Sequence, residues 1–439
     1  MKRRAVPRSR ARKSETAIST TTLPRHVVVV GSGVVGLSCA QALLERGCRV
    51  TVVERGGPDR DSCSLGNAGY ISPSHVFPLA SPGIVKKALG WMGDPESPFY
   101  VRPRLDPDFL AWSWRFWRAA TPARARAAGP IIQSLTMQSR ELFVRMAERA
   151  GNEFELVTDG CLNLTQTERG LAEEVKVAER VRELGQPAEI LDARGVAALE
   201  PDLTLNVIGG VYYPLDAHLT PQRFVATLER WVREAGAAFV WNAEIHGWRR
   251  EGRVVRAART PQGEIEADAF VLAAGSWTGL LANGLGVSLP MQPGKGYSMT
   301  IPRPRERMRR SVLLHEARVA LTPMGSALRV GGTMELTGHD LSINPPRLRG
   351  IQKSLRSYLP AFSEAEFASV EPWCGLRPCT PDGLPYVGPL ARYDNLSVAA
   401  GHAMMGLSMA PATGRLLAQL MVGEPPTIDP ALLRPDRYA

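Results

Sequence analysis

One stretch constrains the fold more than any other: HVVVVGSGVVGLSCAQALLERGCRVTVVERG, His26 to Gly56. It reads as a short apolar strand, a glycine turn, a helix and a second strand. Gly31, Gly33 and Gly36 match GxGxxG. Gly31 permits the tight turn, Gly33 lets a pyrophosphate approach the backbone, and Gly36 lets the helix pack closely on the sheet. The helix N-terminus then offers free N–H groups to phosphate. The second strand ends in Glu54, 18 residues after Gly36, where a carboxylate can accept hydrogen bonds from ribose hydroxyls. Glu54 favours a free 2′-hydroxyl, hence FAD or NAD rather than NADP.

Two later segments separate those dinucleotides. After several strands with polar turns, VLAAGSW runs from a strand over Val271–Ala274 into a turn at Gly275 and a helix near Trp277–Leu281. Near the C-terminus, NLSVAAGHAMMGLSMAPATGRLLAQLM gives a strand, a loop flanked by Gly401 and Gly406, and a helix from about Met409. Three strand-to-glycine crossings suit a long ligand such as FAD better than NAD.

A chain of 439 residues is too long for one ordinary core and implies two domains. With 44% hydrophobic and 22% charged residues it has a globular composition, and no uninterrupted apolar run is long enough for a membrane span. The formal charge of +10 points towards nucleic acid only until it is located. Residues 1–24 carry seven basic side chains against Glu15, a net +6, which leaves an ordinary +4 for the body. That head has too few apolar residues to fold and reads as disordered. It lacks the hydrophobic stretch of a secretory signal, and its composition fits an organellar transit peptide or an extended bacterial N-terminus. A cytoplasmic location and no nucleic-acid partner are expected. The six cysteines include no CxxC and read as free thiols. The seven histidines are dispersed, so no metal site is expected.

The segments SCSLGNAGYISPSHVFPLASPGIVKKALGWM, VLAAGSW, PGKGYSMT, WCGLRPCTPDGLPYVG and AAGHAMMGLSMAPATGRLLAQL resemble the D-amino-acid oxidase superfamily of flavoproteins. Within it they are most similar to the small subunit of bacterial D-amino-acid dehydrogenases, from about Arg25 to about Val422. The resemblance implies an α/β fold in which an FAD-binding Rossmann-type domain is interleaved with an α+β substrate domain containing a mixed, largely antiparallel sheet. The expected division gives residues 25–82, 201–290 and 369–428 to the FAD domain and 83–200 with 291–368 to the substrate domain, leaving a tail over 429–439. The helix in HLTPQRFVATLERWVREAG is expected to be capped by Thr220, with Pro221 in its first turn.

The implied reaction is oxidative deamination of a small amino acid, most readily a D-amino acid, by hydride transfer from the α carbon to FAD. Imine hydrolysis then gives a 2-oxo acid and ammonia. Glycine or sarcosine oxidation, D-hydroxyproline oxidation and a non-catalytic flavin-binding assembly role are the alternatives. The electron acceptor is oxygen or a respiratory carrier. Arg377 takes the arginine position of the GLRP motif and is the expected carboxylate anchor, because its planar fork pairs both oxygens; the alternative is a structural arginine at the domain interface. Tyr297 is expected to place a hydroxyl near the same carboxylate or to serve as a core tyrosine. His402, in the loop over the flavin, is expected to contact the ring or substrate, or simply to bond backbone. FAD contacts are expected from Gly31, Ser32, Gly33, Val34, Val35, Gly36, Glu54 and Arg55, from Asn67, Ala68 and Gly69, and from Ile245, Ala274, Gly275, Gly401, Met405 and Gly406. The sarcosine oxidase branch attaches FAD through a cysteine, but here that position falls on Gly375, one residue after Cys374, so non-covalent FAD is expected. Finally, PDFLAWSWRFWRAATPARARAAG places Leu110, Trp114 and Trp117 on one helical face among arginines. It is either a helix packed on the substrate domain or an interfacial helix giving peripheral membrane contact.

Overall fold

The computed structural model describes residues 24–438; the basic head lies outside them apart from its last residue. Six strands form one sheet in the order Tyr386–Pro389, Leu396–Ala400, Ala269–Leu272, His26–Val30, Arg49–Val53 and Ala238–Val240. All neighbours are parallel except Tyr386–Pro389 and Leu396–Ala400. A parallel sheet is covered on both faces, which is why its central strands are unbroken valine runs; Val27 to Val30 are all buried. Helices Val34–Leu44 and Gly406–Val422 pack together on one face. Their approach is close enough that a Cβ at Gly414 would fall 2.3 Å from the Ser38 carbonyl oxygen.

The second sheet has nine strands. Its order is Trp373–Cys379, Gln292–Ile301, Ala327–Leu336, Val319–Met324, Ser311–Leu314, Cys161–Thr165, Gly209–Tyr213 and Glu189–Asp192, with Phe99–Val101 parallel to Ala327–Leu336. Apart from that pair and Cys161–Thr165 with Ser311–Leu314, its pairings are antiparallel.

Two strands depart from the division expected above. Gly209–Tyr213 and Trp373–Cys379 fall in segments assigned to the FAD domain, yet both pair in the nine-stranded sheet. Trp373–Cys379 runs antiparallel to Gln292–Ser298 over its full length. Composition identifies a strand but not its partner, which is set by register and packing. Thr220 does precede the helix Pro221–Glu234, but its side chain does not cap it; the hydroxyl donates to Glu155 instead. The C-terminal helix begins at Gly406, earlier than expected. The tail packs on the body: Leu433 is buried, and Arg437 pairs with Asp382 of the Pro-Asp-Gly turn at 2.8 Å.

Candidate active site

Both sheets face one continuous cavity of about 1430 Å³. Single-ligand sites usually measure about 300–1,000 Å³, so this one has room for a cofactor and a substrate together.

The cavity begins at the C-terminal ends of the parallel strands. Gly31 has φ +104°, and a Cβ there would lie 2.6 Å from the Ala273 carbonyl oxygen. A Cβ at Gly36 would lie 2.0 Å from the Gly31 carbonyl oxygen. Gly33 faces the cavity, where a Cβ would crowd the Ser64 hydroxyl at 3.3 Å. Glu54 Oε2 accepts from Ser32 N at 2.9 Å and Ser32 Oγ at 2.8 Å, and Oε1 accepts from Gly56 N at 3.1 Å. A carboxylate has about four acceptor sites, so Glu54, held rigid at the cavity edge, keeps capacity for a ribose hydroxyl. Arg55 stacks on Trp277, 3.6 Å from its ring centroid.

Of the expected FAD contacts, Gly31, Gly33, Val34, Val35, Glu54, Arg55, Asn67, Ala68, Ile245, Ala274, Gly275, Met405 and Gly406 line the cavity. Ser32, Gly36, Gly69 and Gly401 do not, and support it from behind. Ser32 positions Glu54. Gly36 seats the helix. Gly69, at φ +80°, lies where a Cβ would meet the Leu219 carbonyl oxygen at 2.3 Å, and Gly401, at φ +85°, abuts Thr380.

The nine-stranded sheet supplies the opposite wall. Arg377 reaches from its edge strand across the bare face of Gly296; a Cβ there would lie 2.1 Å from Nη2. Nη1 donates to the Thr333 carbonyl at 2.6 Å. No carboxylate pairs with Arg377 among the described residues. Burial lowers its pKa, although a guanidinium stays charged in proteins. An enclosed cation without a counter-ion is costly unless an anion arrives. Arg329 shows the contrast. More deeply buried, it donates to the carbonyls of Leu65 and Asn67 and to Thr300 Oγ1, and so clamps the loop that carries Asn67 and Ala68.

Tyr297 lines the cavity, but its hydroxyl donates to buried Glu335 at 2.8 Å and is not free for a substrate carboxylate. Burial, then Glu335, raise its pKa. Behind it Lys295 is almost wholly buried, 2.8 Å from the Ser342 carbonyl, 3.2 Å from Asp340 and 3.4 Å from Glu335, which also pairs with Arg347 at 3.2 Å. His402 also lines the cavity, with Nε2 3.0 Å from Thr413 Oγ1. Its partner is thus a side-chain hydroxyl rather than backbone. Burial pushes its pKa down to about 3, so the ring is neutral.

The sequence reading missed several residues. Ser64 Oγ accepts from Val34 N, the first helical amide, at 3.0 Å. The indole of Trp373 lies over Gly66 and Gly375 and donates to Asp61 at 2.6 Å. The alternating glycines of PGKGYSMT were the legible signal for a strand with one bare face. Cys374 and Cys379 are free, and Cys374 Sγ donates to the Leu341 carbonyl at 3.0 Å. No group of three or more metal-ligating side chains occurs among the described residues.

A glycine cradle for a dinucleotide, facing an unpaired arginine on a second sheet, defines a two-domain nucleotide-dependent oxidoreductase. Comparison narrows the class. Residues 26–420 match the family described as FAD dependent oxidoreductase (DAO), and the chain belongs to that family, with FAD as its cofactor. It is an oxidoreductase acting on the carbon–nitrogen bond of amino acids. It is 35% identical over 423 residues to a D-amino acid dehydrogenase of Granulibacter bethesdensis, covering 94% of this chain and 100% of the relative. A D-amino acid dehydrogenase of Methylobacterium nodulans is 36% identical, with 94% and 99% covered. Among solved structures, glycine oxidase from Geobacillus kaustophilus has a TM-score of 0.75 at 23% identity, covering 95% of this chain and 99% of that one. L-proline dehydrogenase from P. horikoshii has a TM-score of 0.72 at 21% identity, covering 94% and 97%. Both share the fold.

Proposed function

We propose that the chain oxidises small D-amino acids, with Arg377 holding the substrate carboxylate. One observation carries this reading: a guanidinium with a single protein partner faces the same cavity as the dinucleotide cradle. Bound FAD supplies the hydride acceptor. The chain supplies orientation. Arg377 fixes the carboxylate, Gly296 leaves room for the guanidinium to lie flat, and Thr333 sets its direction. Neutral His402 adds no charge beside the amine, which reacts as the free base. The imine product then hydrolyses to a 2-oxo acid and ammonia. The D configuration is supported by the related dehydrogenases.

FAD is held non-covalently in this reading, and acid precipitation should release all of the yellow chromophore. The acceptor side is supported by an apolar mouth. Phe109 and Trp112 of helix Pro107–Ala119 pack inward, and Trp112 Nε1 donates to the Cys379 carbonyl at 2.9 Å. Trp114 and Trp117, each 57% exposed, stack on each other outside. Leu89, on helix Ile84–Trp91, is also exposed at the cavity rim. Such a rim suits peripheral membrane contact and a lipophilic electron carrier. No helix of the described residues is long and apolar enough to cross a membrane.

The test is anaerobic addition of D- and L-amino acids to the holoprotein. D-alanine should bleach the flavin absorbance, with slow recovery in air. Bleaching by L-amino acids alone would overturn the stereochemical assignment, and rapid recovery in air would overturn the carrier.

A further inference from the structure

The cavity is also lined by side chains that the proposed reaction does not use, and three of their carboxylates are already matched. Glu174, buried, lies 2.6 Å from His315 Nδ1 and accepts from Tyr213 at 2.6 Å and Asn163 at 2.7 Å. Glu173 pairs with Lys87 at 2.8 Å and Arg169 at 3.1 Å. Asp216 accepts from Ser74 N at 2.9 Å and Ser74 Oγ at 2.6 Å.

Arg318 and His75, both with exposed surface, also line the cavity, and neither has a side-chain hydrogen-bond or ion-pair partner among the described residues. Arg318 forms neither an ion pair nor a side-chain hydrogen bond, and its backbone is left-handed at φ +56°. Non-glycine residues seldom hold that conformation, and those that do cluster at binding sites. The turn is fixed against the strand that holds Arg377. The Arg318 carbonyl oxygen lies 3.3 Å from where a Cβ on Gly332 would stand, and Arg377 donates to the carbonyl of the next residue, Thr333. The Arg318 backbone and the Arg377 guanidinium therefore meet adjacent residues of one strand. His75 lines the cavity and keeps exposed surface there. Burial and then Arg318 lower its pKa to about 4, which leaves a neutral ring with one N–H to donate.

We propose that Arg318, assisted by His75, binds a second carboxylate at the end of the substrate side chain, so that acidic D-amino acids are preferred substrates. Arg377 holds the α-carboxylate and Arg318 the distal one. A charge-assisted pair at each end fixes the length as well as the charge of the ligand. This rests on the D-amino-acid reading of the same site.

The test compares D-glutamate with D-alanine in the holoenzyme and follows flavin absorbance during titration with glutarate or butyrate. Wild type should bind glutarate more tightly than butyrate. Arg318→Gly removes the guanidinium while suiting the left-handed backbone, so loss of function would not reflect misfolding. It should lower the D-glutamate to D-alanine ratio of kcat/KM about tenfold or more and abolish the glutarate advantage. Arg318→Lys should restore part of both. An unchanged ratio, an equal fall for both substrates, or equal binding of glutarate and butyrate by wild type would overturn the assignment. Failure of D-alanine itself to bleach the wild-type flavin would instead sink the reading beneath it.

Discussion

The two walls of the cavity are built from different materials. The parallel sheet presents backbone: glycine turns, a helix N-terminus, and one carboxylate pinned by its neighbours. The nine-stranded sheet presents side chains, with Arg377, Thr333 and Gly296 drawn from three strands spread over 82 positions of the chain. A backbone site is specified by spacing within a few residues. A side-chain site exists only after distant strands have paired. The first should fail all at once when one local position is filled, and the second should fail by degrees.

The largest effect should come from the first wall. Gly36→Val would place its side chain into the Gly31 carbonyl, already 2.0 Å from a Cβ alone. Neither the helix nor the strand can shift without opening the sheet, so a loss of more than about 4 kcal/mol is expected. Purified variant should contain no flavin by absorbance. Full flavin content would show that the cradle tolerates what its geometry forbids.

This difference explains what could be read in advance. The GxGxxG unit, Glu54 and the turns after Ala274 and Ala400 are local, and the fold class followed from them together with the resemblance. Arg377 was found only through a motif. Its bed was not found, because nothing in PGKGYSMT says which strand will lie beside it. Strand pairing is likewise non-local, so Gly209–Tyr213 and Trp373–Cys379 pair in the nine-stranded sheet although their segments read as part of the FAD domain. Tyr297 and His402 both line the cavity, but the partners of their polar atoms, Glu335 and Thr413, lie 38 and 11 residues away. Gly69 and Gly401 serve close packing, which glycine signals as readily as a ligand contact.

The second wall can be weakened in two steps. Arg377→Ala should remove about 2–5 kcal/mol of substrate affinity while flavin content stays full. A smaller loss, on the order of 1–3 kcal/mol, is expected from Gly296→Ala, whose methyl would lift the guanidinium off the strand. Steady-state kinetics with D-alanine and a flavin count on the same preparations separate the walls. If Arg377→Ala also lost its flavin, the two surfaces would not be independent.

The smallest effect lies at the seam. His402 follows the last parallel strand, forms an isolated bridge with Cys379 of the other wall, and turns its ring to Thr413. Its pKa falls from an ordinary 6.5 to about 3 through burial, and burial takes His218 to about 4. Between pH 6.5 and 4 the unfolded chain therefore takes up protons that the folded chain refuses, and stability falls as pH drops. Asp216 acts oppositely, because burial raises its pKa to about 7 and the folded chain holds its proton across that window. Each fully neutral imidazole contributes a slope of about 1.4 kcal/mol per pH unit. His402→Gln keeps a hydrogen-bonding group for Thr413 and removes one titration. Unfolding free energies of the holoprotein from urea titrations at pH 6 and pH 4.5 should converge in that variant by about 2 kcal/mol relative to wild type. If the two slopes were the same, His402 would be open to water, and the seam between the walls would be looser than its packing indicates.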